Sequence, residues 1–140
     1  MTLEKLVHTV ESGLVKLGTI LTPSDPRADL EEEVDQAVAE LQQQHTALVE
    51  AERKCAEVRA RLQEHQARAA LLPSEIEVCL RHGRREEGWQ YALELDQVRE
   101  ALIRERAELP GLEQRVWSLG FLMRQMERKV ARLQNRLNAP

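Results

Sequence analysis

The side chains able to do covalent or metal chemistry in this sequence are two cysteines, Cys55 and Cys79, four histidines and 24 carboxylates. Structural zinc sites gather cysteine and histidine at short, recurrent spacings, and redox motifs set two cysteines in C-x-x-C. Neither spacing occurs, and His8, His45, His65 and His82 are scattered. Two cysteines without such a framework fit a reducing compartment, so the expected location is the cytosol. G-x-x-x-x-G-K-[ST], G-x-G-x-x-G and H-E-x-x-H are all missing, which removes the recognisable phosphate-cradling and zinc-protease sites. Carboxylates spread along helical surfaces stay solvated and lack the enclosed setting that tunes an acid or base. The expectation is therefore no enzyme, no cofactor and no metal.

Binding chemistry is better represented. Four aromatics leave little to fill a compact core, yet both tryptophans fall on one pattern: Trp89, Ile103 and Trp117 recur at 14-residue intervals. Leu93 and Phe121 lie one helical turn beyond the two tryptophans. Large apolar side chains outside a buried seam mark a partner or oligomer surface, unless another segment covers them. At the N-terminus Leu3, Leu6, Val7, Val10, Leu14, Leu17 and Leu21 form one apolar stripe. Such a helix either lies in a membrane interface or packs on the rest of the protein. Glu4 and Glu11 balance Lys5 and Lys16, so its polar face is not strongly basic.

The elements that position these residues are set by composition and period. Ala, Leu, Glu, Arg and Gln dominate, with 31% charged residues and only six Gly and five Pro, the composition of long helices or coiled coils. Pro23 to Pro26 divide residues 1–22 from the remainder of the chain, making 23–29 a linker and helix cap, with Ser24 or Asp25 available for capping. From Leu30 to Leu72 alternating steps of three and four meet apolar residues everywhere except Gln44 and His65. From Leu95 to Leu137 only Glu105 breaks the same spacing. A polar residue in such a seam usually sets register.

The two stretches have equal length and are equidistant from a centre between Gly83 and Arg84. That symmetry predicts an all-α fold: an amphipathic N-terminal helix, then an antiparallel coiled-coil hairpin over 30–140 with its tip near 80–88. Leu48 is expected across from Leu119. Charge agrees, because residues 27–50 carry Asp29, Glu31, Glu32, Glu33, Asp35, Glu40 and Glu50 against Arg27 alone among Lys and Arg. Residues 115–140 carry Arg115, Arg124, Arg128, Lys129, Arg132 and Arg136 against Glu127. Laying one beside the other favours the antiparallel orientation. Pro73 and Pro110-Gly111 are expected to kink each arm, or to end one helix and start another. No apolar run approaches the roughly 18 residues of a transmembrane span, and no basic-then-apolar leader opens the chain. A net charge of −4 argues against general nucleic-acid binding.

The layout resembles the phage shock protein A family, which includes the Vipp-type proteins and is related to ESCRT-III. An amphipathic N-terminal helix precedes the Asp25-Pro26 break, then a long acidic helix leads to a hairpin tip. The tip Cys79-Leu80-Arg81-His82-Gly83-Arg84-Arg85-Glu86-Glu87, followed by Ala92-Leu93, looks like the family's Leu-x-Lys-Gly-Arg-Glu-Asp tip followed by Ala-Leu. The resemblance implies a short form of the family without its further C-terminal helices. It also implies a cytoplasmic protein, peripheral at the inner membrane, that acts in envelope stress. Its implied partners are an anionic membrane surface met through residues 1–22, copies of itself, and a AAA+ transcriptional activator that the hairpin restrains. The alternative is a helical hairpin of the stalk or chaperone type found in flagellar and type III secretion systems.

Overall fold

The computed structural model describes residues 25–140. The N-terminal stripe from Leu3 to Leu21 lies outside the described residues. Two helices, α1 (Pro26–Arg81) and α2 (Arg85–Asn138), pack as an antiparallel hairpin.

Helix α1 starts where the sequence offers a cap. The Asp25 carboxylate Oδ1 accepts a hydrogen bond from the backbone N–H of Arg27 at 3.0 Å, and its carbonyl accepts from Asp29 at 3.1 Å. Pro26 takes the first helical position, where a missing N–H costs nothing. Residues 26–29 thus belong to α1. At the other end, Arg84 N–H donates to Cys79 O (2.9 Å) and Gly83 N–H to Leu80 O (3.4 Å), the pair of bonds that closes a Schellman motif. Gly83 carries φ 70°, a left-handed conformation that a side chain would strain. Glu86 and Glu87 in the first turn of α2, and Arg81 in the last turn of α1, match the helix dipoles.

Every position of the two heptad stretches is buried or half-buried, including Gln44, His65 and Glu105. The predicted symmetry sets Val34 opposite Leu133 and Ala37 opposite Val130, and these four form one apolar cluster. It also sets Leu72 opposite Leu95, which share a second cluster with Val98 and Leu102. The first cluster belongs to a compact unit of residues 25–41 and 126–140, the second to a unit spanning 42–125. Near the tip Gly88 lets the arms close in, since a Cβ there would sit 3.2 Å from the Cys79 Cβ.

Neither proline ends a helix. Pro73 lies inside α1 and Pro110 inside α2. Both are exposed, each one position after a seam residue and so on the flank of its helix. An interior proline costs about 3 kcal/mol by deleting one hydrogen bond and crowding the preceding turn. Seam burial on either side outweighs that local loss, and the helix continues.

The opposite charges of the arm ends do not form contact pairs. Among the described residues the ion pairs that cross between helices are Arg59–Glu113, His65–Glu105 and Arg68–Glu94, all in the unit spanning 42–125. The acidic stretch after Arg27 and the basic stretch after Arg124 instead stay exposed to solvent for the most part, so their mutual attraction is a screened, longer-range one.

Candidate interaction surface

Heptad geometry decides which apolar side chains α2 can hide. The seam takes Leu95, Val98 and Leu102, leaving residues one position after a seam position on the flank. Trp89, Ile103 and Trp117 occupy that flank and are exposed at 64%, 69% and 62%; Leu93 and Phe121 are exposed as well. All five predicted interface residues therefore stand outside the seam.

They are not gathered into one site. Trp117 and Phe121, one turn apart, stack with ring centroids 5.9 Å apart and planes inclined by 9°. Offset stacking of this kind contributes beyond simple area burial. Around them, residues 116–123 (Val-Trp-Ser-Leu-Gly-Phe-Leu-Met) carry no charge, and Leu122 adds a third exposed apolar side chain. Leu122 escaped the sequence reading, although the charge-free run was there to find it. On α1, Val49, Leu71, Val78 and Leu80 are exposed too. The spacing of seven between Leu71 and Val78 was the available signal for those two.

Gly120 sits within this run, half-buried. A Cβ built there would meet only the Arg124 guanidinium, at 3.7 Å from Nη1. The backbone at Gly120 is thus open to close approach from outside.

Polar contacts of the same unit are concentrated between the seam and its rim. His65 Nδ1 lies 2.8 and 2.9 Å from the two carboxylate oxygens of Glu105. Two of the seam's three polar residues therefore satisfy each other. Arg68 donates from Nε and Nη2 to both oxygens of Glu94 (2.7 and 2.8 Å) and from Nη1 to Glu75 Oε1 (3.1 Å). Its guanidinium also lies 5.9 Å from the Tyr91 ring centroid. The hydrogen bonds from Arg68 hold the Glu94 carboxyl below the usual carboxylate range. The second Glu75 oxygen, Oε2, is buried with no hydrogen-bond partner.

Cys55 and Cys79 are free and buried in the seam, where they act as small apolar side chains. Among the described residues no cluster of His, Cys, Asp and Glu is arranged to hold a metal ion, and no helix is long and apolar enough to cross a membrane. Comparison with protein-family models, curated proteins and solved structures gives no match.

Proposed function

We propose that this chain is a non-enzymatic contact protein of the phage-shock-protein-A-like kind. In this reading it works in the cytoplasm at the inner face of the bacterial membrane, where residues 1–22 hold it to anionic lipid. The hairpin presents the outer flank of α2 to protein partners, its own copies or a AAA+ activator that it restrains. The observation that supports the reading most is the stacked, exposed Trp117–Phe121 pair within a charge-free run of α2. Large aromatics dominate binding energies at interfaces and are expensive to leave in water without one.

Liposome flotation tests the membrane half. The full chain is expected to float with anionic vesicles, and Val10→Glu or Leu14→Glu to abolish flotation with little change in helicity, because each drags a charge into the interface. Flotation that survives both substitutions, or a wild-type chain that stays with the soluble fraction, rejects it.

A further inference from the structure

On α2, Glu113, Trp117, Gly120 and Arg124 succeed one another at steps of four, three and four, so they line a single stripe beside the seam. Its order reads acid, large ring, open backbone, base. That order is self-complementary when reversed. About a two-fold axis between Ser118 and Leu119, an antiparallel copy of α2 sets Trp117 of one chain opposite Gly120 of the other, and Glu113 opposite Arg124. Each match then occurs twice, as an isologous contact requires.

We infer that the occupant of this stripe is a second copy of the same chain, joined through α2 in an antiparallel, two-fold contact. The inference rests on the reading of Trp117 and Phe121 as a contact surface and names the partner for it. Three features fit this occupant. Gly120 has no side chain in the way, and a Cβ there would meet only the flexible Arg124 tip, at 3.7 Å. Arg124 makes no ion pair with any described residue, so its charge is available. Glu113 touches only the exposed Arg59 at 3.3 Å, a contact that tolerates a second cation alongside. Helices in contact run about 8–10 Å apart, the near end of which needs a small residue under a large one.

The test is sedimentation equilibrium of the full chain, with flotation measured on the same samples. The wild type is expected to form dimers at micromolar concentration. Glu113→Arg alone and Arg124→Glu alone should each weaken dimerisation about tenfold by setting like charges opposite, and the two together should restore it to within about threefold. Gly120→Leu should abolish it with unchanged helicity. A wild type that stays monomeric at about 100 μM overturns the inference, as does a double reversal no better than the worse single one. Lost dimerisation with flotation retained would reject this contact alone, and the opposite result would reject the membrane role alone.

Discussion

Within the unit spanning 42–125, two stretches of α2 carry the same heptad spacing and end differently. Between Leu95 and Glu105 the seam side chains are buried; between Leu109 and Met123 every one of them is only half-buried. The opposing stretch of α1 explains part of the contrast. Leu62, Ala69, Leu72 and Ile76 gather with Tyr91 around the first stretch and close over it. By the same symmetry the second stretch faces Leu48, Ala51, Cys55 and Val58, and the two small side chains among them, Ala51 opposite Val116 and Cys55 opposite Leu112, give little cover. Two helices hide only a narrow stripe, and where one contributes small residues the other spills out of it. The charge-free run from Val116 to Met123 lies in that overhang. The same spacing thus builds a closed core in one place and an open apolar surface in the other.

The contrast can be broken at its strongest point first. Leu72→Ala empties the one large side chain with no exposure among the described residues and should cost about 2–5 kcal/mol in urea melts. Loss of less than about 1 kcal/mol would mean that the first stretch is no more closed than the second. Next comes His65→Ala, which leaves the buried Glu105 carboxylate without its partner and should cost about 1–3 kcal/mol. Replacing both residues by Leu should recover most of that loss in thermal melts, at the expense of the register the pair sets.

A smaller effect is expected from Trp117→Ala with Phe121→Ala. At concentrations where the chain is monomeric, stability should move by only about 0.5 kcal/mol per site, since exposed substitutions rarely do more. A cost equal to that of Leu72→Ala would place these rings in the core. The smallest effect concerns pH. Glu94 is held below its ordinary range in the folded state, so its contribution is present above the unfolded carboxylate value of 4.5 and fades as pH falls through its lower folded value. Urea melts from about pH 5 down to about pH 3 should show a slope that Arg68→Gln reduces.

Much of this fold was legible in the spacing of apolar residues. Equal stretches around Gly83 fixed the centre of the hairpin, and the flank position of Trp89, Ile103 and Trp117 came from the seam. Three things were not legible. Pro73 and Pro110 read as either a kink or a helix end, because a local rule cannot weigh the seam burial on either side of them. The charge asymmetry of the arm ends spoke for orientation but not for which cross-helix pairs form, because long exposed side chains gain little by fixing one geometry. The Arg68 cluster was missed because its members, Glu75, Tyr91 and Glu94, come together only when two helix rims meet. For the surface itself, the sequence marked exposed side chains but not the opening at Gly120, which depends on where neighbouring side chains turn.

The turn at Gly83 also orders the assembly of the chain in time. Reversing direction within three residues makes the nearest contacts the cheapest to close, because the entropy lost on joining two points rises with the length of chain between them. Arg68 and Glu94 are separated by 26 residues, His65 and Glu105 by 40, Arg59 and Glu113 by 54. From first to last the closure penalty grows by about 0.6 kcal/mol per doubling if the later contacts form alone, and far less if the earlier ones already hold the two arms together. The hairpin therefore closes like a zipper from its bend, each bridge shortening the loop that remains for the next. Amide exchange should slow in the same sequence, with the residues beside the bend last to open.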